Sequence, residues 1–165
     1  MVGARGGQAM QMDNEPAPAG EPPIFGNVLM RYAEEFYLGF RLLFAFLLAL
    51  HGAQKAFLLW GFPADHPLGL RVDIAGWVEF IAAILIASGV FTRLGAGALV
   101  VQMVVAYFDV HYGNGLWPHI YPADGGFGAH GGEVAILYFA IAGIIGILGS
   151  RKYGIERLVF KRELL

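Results

Sequence analysis

The sequence predicts an all-α integral membrane protein: a four-helix transmembrane bundle with its N- and C-termini cytoplasmic. Three observations carry that prediction. Of the 165 residues, 57% are hydrophobic and 15% charged, where a soluble domain is about half apolar and a quarter charged. The charges crowd toward the two ends and leave long apolar blocks between them. The positive residues also fall predominantly on one side of those blocks, the pattern that orients membrane helices.

A spanning helix needs about 20 predominantly apolar residues. Four segments approach that length, at about residues 36–60, 73–91, 94–112 and 133–149. Residues 1–30 precede them as a polar tail whose Pro, Gly, Gln and Glu content is that of flexible chain and which lacks the apolar core of a signal peptide. The four-helix domain occupies 31–150, and 151–165 form a basic C-terminal tail. A connection of about two residues around Thr92 and Arg93 makes spans two and three an antiparallel hairpin. The other two connections are long and rich in Gly, Pro and aromatic residues. Trp60, Trp77, Tyr107, Tyr112, Trp117 and Tyr121 gather at one set of span ends, as interfacial aromatics do.

Arg5 and Arg31 precede span one, Arg93 lies in the hairpin, and Arg151, Lys152, Arg157, Lys161 and Arg162 follow span four. The two long loops contain only Arg71, so the loops face outward and the termini inward. The basic tail stands where an anionic leaflet would attract it, and an ordinary solvated tail accounts for it equally well. A net charge of −2 without a basic stripe excludes nucleic acid as a partner. The absence of cysteine excludes disulfides, thiolate metal sites and a thiol relay carried by this chain.

The polar residues inside the apolar blocks carry the functional question. With about 1.5 Å of rise per residue, Lys55, five residues from Trp60, and Glu79, six from Asp73, lie roughly 8–9 Å beneath the same ends of antiparallel helices. His51 stacks one turn below Lys55, because i and i+4 share a helix face. Asp109 and His111 end span three and Glu133 opens span four. An ionisable group in lipid seeks a partner, so Lys55 is expected to pair with Glu79, while Arg41 lies near enough to the other membrane face to snorkel. Either the pair only sets helix register, with His51 as a neutral neighbour, or the six residues His51, Lys55, Glu79, Asp109, His111 and Glu133 line a ligand site. No spacing among the histidines and carboxylates, including His119 and His130, matches a metal signature. Neither a metal nor a catalytic residue is assigned.

The arrangement resembles the DoxX family of small four-helix membrane proteins. The resemblance rests on Arg41 leading into HGAQK (51–55), on GWVEFIAAILIASGVFTRLGA (76–96), on HYGNGLWP (111–118) and on GGEVAILY (131–138), and it extends over about residues 41–149. Two features depart from it: the longer polar N-terminal tail, and the continuation RKYGIERLVFKRELL after GILGS. The resemblance implies association with membrane oxidoreductase systems, among them terminal quinol oxidase and thiosulfate:quinone oxidoreductase assemblies. The expected role is a non-catalytic accessory subunit in a prokaryotic cytoplasmic membrane, with the bilayer and other membrane subunits as partners. No covalently bound cofactor is expected, with quinone or lipid as the candidate ligand. The rival readings are an architectural subunit of a respiratory or photosynthetic assembly, and a stand-alone quinone- or lipid-binding protein.

Overall fold

The computed structural model describes residues 24–65, 69–116 and 131–164. Trp117, His119, Tyr121, His130 and most of the polar N-terminal tail lie outside the described residues. All described regular structure is helical.

The chain divides into two units, at Met1–Tyr32 and Ala33–Leu165. In the first, α1 (Ile24–Arg31) is a helix within what composition marks as tail. Its run IFGNVLM places apolar residues at 24, 25, 28 and 29, a helical repeat that outweighs the flexible composition preceding it.

In the second unit, α2 (Ala33–Ala56), α3 (Leu70–Ser88), α4 (Thr92–Ala106) and α5 (Glu133–Leu148) occupy the four apolar segments. The boundaries shift for local reasons. α2 stops four residues before Trp60 because Leu58 and Trp60 take φ values of 52° and Gly61 one of 75°, left-handed backbone that a helix cannot continue. The α3–α4 hairpin is Gly89-Val90-Phe91, with Thr92 and Arg93 inside the first turn of α4. Gly89 closes α3 at φ 72°, donating its N–H to Leu85 O, the left-handed C-cap that glycine favours. Beyond Ala106 the helix widens into a π turn, Tyr107–His111, and then tightens into a 3₁₀ turn, Tyr112–Asn114. The C-terminal segment is also folded, as a 3₁₀ turn (Arg151–Tyr153) followed by α6 (Ile155–Phe160).

Each of the four long helices buries one stripe at helical spacing: Phe44, Ala45 and Leu48; Ala82, Ala83 and Ile86; Ala96, Leu99 and Met103; Ala135, Tyr138, Ala142 and Ile145. Successive helices run antiparallel. Gly52 meets Phe80 while Gly76 meets Ala56, Gln102 reaches Ala75, and Ala96 faces Gly146. α5 returns beside α2, where Tyr37 donates to Gly149 O at 2.7 Å and Phe44 packs edge-on to Tyr138. The result is an up-down-up-down bundle with small residues at its contacts.

The outward faces are apolar as well: Leu43, Phe46, Ile81, Ile84, Val101, Leu137 and Ile147 are all more than half exposed. A water-soluble bundle would carry polar residues there. Two helical runs, Ala33–Ala56 and Thr92–Asn114, are long and apolar enough to cross a membrane, and Glu133–Leu148 is a shorter apolar helix.

The closest helix approach is α2 on α3. A Cβ on Gly52 would collide with the backbone of Phe80, and one on Gly76 would stand 2.7 Å from Lys55 Cβ and 2.8 Å from Ala56 N. Such positions admit glycine alone, the close-packing device of helices in lipid. Gly143 has open space around it. Gly52→Ala is therefore expected to cost about 2 kcal/mol through overpacking, whereas Gly143→Ala leaves stability unchanged or raises it by about 0.5–1 kcal/mol through helix propensity. Thermal unfolding followed by circular dichroism in detergent checks both.

Candidate functional site

The Gly52–Gly76 crossing brings two polar side chains together one turn away from it. Lys55, in the last turn of α2, extends over the space left by Gly76 and donates to both oxygens of Glu79, at 2.6 and 2.8 Å. A third helix closes the group: Gln102 Nε2 donates to Glu79 Oε1 at 2.8 Å and to Ala75 O at 3.2 Å. Glu79 is buried, and the Lys55 side chain is 23% exposed. Each carboxylate oxygen thus faces the ammonium, and one also receives an amide hydrogen. The amide oxygen of Gln102 is buried without a hydrogen-bond partner among the described residues.

The pair clamps α2, α3 and α4 together. Its position at the C-terminus of α2 suits a cation, since unpaired carbonyls give that end partial negative charge. Gln102 is not among the residues the sequence singles out. The signal was the same as for Glu79, a lone hydrogen-bonding side chain in an apolar run, VVQMVV, at the depth of the pair.

The remaining sequence candidates make contacts of their own. His51 is exposed and lies edge-on to Tyr138 of α5, ring centroids 5.5 Å apart. With Leu50, Gln54 and Trp60 it lines an open cleft of about 240 Å³. The π turn directs Asp109 to the first turn of α3, where it accepts from Arg71 at 3.1 Å in an exposed pair. His111 is half-buried on the same turn, and Glu133 is the exposed first residue of α5. The contacts described group these residues at the Lys55–Glu79 clamp, the His51 cleft beside Tyr138 and the surface around the π turn.

A second polar cluster occupies the opposite end of the bundle. Arg41 does not snorkel. It is buried, its guanidinium donating to Ser150 O at 2.7 Å and to Tyr153 O at 2.6 Å, because the carbonyls of the turn that follows α5 offer a nearer partner than water. Glu163 folds back onto the same turn and accepts from Ser150 N at 2.6 Å, Ser150 Oγ at 2.7 Å, Arg151 N at 3.0 Å and Arg93 at 3.3 Å. Glu156, buried on α6, accepts from Phe91 N in the hairpin and from Leu164 N. Arg151 pairs with Glu34 and stacks over the Tyr37 ring. Gly154 sits against Ser150 and Gly89 with no room for a side chain. The bonds that tie this cluster to α2 and to the α3–α4 hairpin join residues 65 to 117 apart in the chain, a separation that spacing along one segment does not reveal.

The helices and the clamp define a class: an all-α bundle, apolar outside, held internally by an ion pair at a glycine crossing, with helices long enough to span a membrane. The comparisons agree. The DoxX family model matches residues 36–112. An uncharacterized protein of Haemophilus influenzae is 31% identical over 143 residues, covering 82% of this chain and 99% of that protein. The chain belongs to the DoxX family, and its apolar helices point to an integral membrane protein. No solved structure matches it.

Breaking one half of a buried pair leaves an uncompensated charge, at about 3–5 kcal/mol, while replacing both halves with apolar side chains is often near neutral. Lys55→Met is accordingly expected to destabilise the bundle strongly, and adding Glu79→Leu to recover most of the loss; a double-mutant cycle of thermal midpoints in detergent measures the coupling. At the other end, burial pushes the Glu163 carboxyl up. The hydrogen bonds from Ser150, Arg93 and Arg151 outweigh that effect and hold it below the ordinary carboxylate range. A carboxyl lowered on folding stabilises fully above its unfolded pKa and loses that contribution as pH falls through the folded value. Acidification below the ordinary carboxylate range should therefore loosen the C-terminal segment, read as faster amide exchange at residues 150–164, and Glu163→Gln should be loose already at neutral pH.

Proposed function

We propose that the chain is a four-span membrane protein with both termini cytoplasmic, acting as a non-catalytic accessory subunit of a membrane-bound electron-transfer assembly in a prokaryotic inner membrane. One observation carries the non-catalytic part. Lys55, Glu79 and Gln102 are turned on one another across three helices, so the charged groups most suited to chemistry are used to hold the bundle together. The apolar outer faces of α2, α3, α4 and α5 suit lipid and neighbouring membrane subunits. The electron-transfer setting rests on the associations of the family. Mild solubilisation of native membranes is expected to recover the chain with a redox-active protein. Migration as an isolated protein, under conditions that keep known membrane complexes intact, would count against it.

The cleft at Leu50, His51, Gln54 and Trp60 supports a second reading, a quinone or lipid site. His51 and Gln54 supply polar groups beside the apolar wall and the Trp60 ring, the mixture typical of small-molecule sites. Lys55, which would otherwise be the natural cation for such a ligand, is neutralised by Glu79, so His51 becomes the group to test. His51→Ala should reduce the quinone or lipid that copurifies with the protein, by extraction and mass spectrometry. Equal content in variant and wild type would sink this reading.

A further inference from the structure

The end of the bundle opposite the clamp contains a cleft of about 350 Å³, open to its surroundings and lined by Glu34, Arg93, Leu148, Arg151, Lys152, Arg157 and Glu163. Four cationic side chains stand against two carboxylates. Both carboxylates are already engaged: Glu34 with Arg151, and Glu163 with Arg93 and the Ser150–Arg151 backbone. Arg157 comes no nearer than 4.0 Å to Glu163, beyond hydrogen-bond reach. The residues lining the cleft therefore carry an excess of positive charge, with the Glu35 carboxylate near Lys152 just outside them.

The flanking helix is amphipathic in an unusual sense. Glu156 turns inward and is fixed to Phe91 N and Leu164 N. Its neighbours Ile155, Leu158, Val159 and Phe160 face out, between 49% and 68% exposed. Arg157, Lys161 and Arg162 interrupt and follow that apolar surface. Apolar residues interleaved with basic ones form the surface that lies in the headgroup region of a bilayer, and basic clusters at that level attract anionic lipid. Leu94 and Ile147, at the adjoining ends of α4 and α5, are also exposed, so the apolar surface continues from α6 onto the bundle wall.

We propose that this end is an anionic-phospholipid site: the phosphate enters the cleft against Arg157 and Lys152, with Arg93 and Arg151 behind, while α6 rests among the acyl chains. The folded C-terminal segment is then a lipid-reading foot. This rests on the membrane reading above, and the test separates the two.

The full chain, purified in a neutral detergent, is titrated with short-chain phosphatidylglycerol, with phosphatidylcholine of the same chain length and with inorganic phosphate, binding being read by native mass spectrometry and by the thermal midpoint. Phosphatidylglycerol is expected to bind and raise the midpoint, with the other two having little effect. Lys152→Gln combined with Arg157→Gln should weaken phosphatidylglycerol binding by about fivefold for each charge removed. Leu158→Ser with Phe160→Ser should weaken it without altering the preference for the anionic headgroup. Equal binding of the two lipids, or phosphate acting as well as phosphatidylglycerol, would overturn the proposal, as would wild-type affinity in the charge variant. Should either variant fail to fold, the salt dependence of the wild type decides: binding unchanged between low and high salt rules out an electrostatic site. Release of the chain from membranes by alkaline wash would overturn the membrane reading itself, whereas a membrane-bound chain without lipid preference overturns the site alone.

Discussion

An ammonium and a carboxylate can sit inside an apolar helical bundle only if they meet each other, and here they meet because two glycines let two helix backbones nearly touch. The Gly52–Gly76 crossing comes first in the causal order. It removes the side chains that would hold α2 and α3 apart, and it clears the volume through which Lys55 extends to Glu79. The charges in turn make the crossing specific. Any sliding of α3 along α2 would separate the pair in a medium that offers no water to replace the lost partner. Gln102 extends the same constraint to α4, so one ion pair sets the register of three helices.

The opposite end solves a related problem by different means. The last carbonyls of a helix lack intrahelical partners, and α5 ends where the chain must turn. Arg93 donates to Gly146 O and Ile147 O at the end of α5, Arg41 from α2 donates to Ser150 O and Tyr153 O in the turn beyond it, and Glu163 accepts the N–H groups of Ser150 and Arg151 there. Cation and anion approach the same turn from opposite directions along the chain. The bundle is therefore closed by polar clamps at both ends, with alanine-rich packing between them.

Much of this was legible in the sequence. The apolar runs located α2, α3, α4 and α5, because hydrophobic length is a local property of the chain. The meeting of Lys55 with Glu79 followed from matching depth in antiparallel helices, a geometric consequence of a constant rise per residue. Asp109, at the end of its span, pairs with Arg71 on the surface; which way a helix face turns is not set by position along the helix, and the π turn rotates that face. Arg41 was expected to reach for water on the same reasoning from depth. The carbonyls of residues more than 100 positions away came closer.

By itself, then, the sequence determined the all-α class, the apolar segments, the family resemblance and the pairing of the two most deeply placed charges. Each of these depends on composition or on distance along a single helix. Only the tertiary structure decided that Gln102 completes the clamp, that His51 faces a cleft beside Tyr138, and that the basic C-terminal segment folds back onto the bundle through Glu156 and Glu163. Those outcomes depend on helix rotation and on contacts between remote residues, and neither is encoded in the spacing of a single segment.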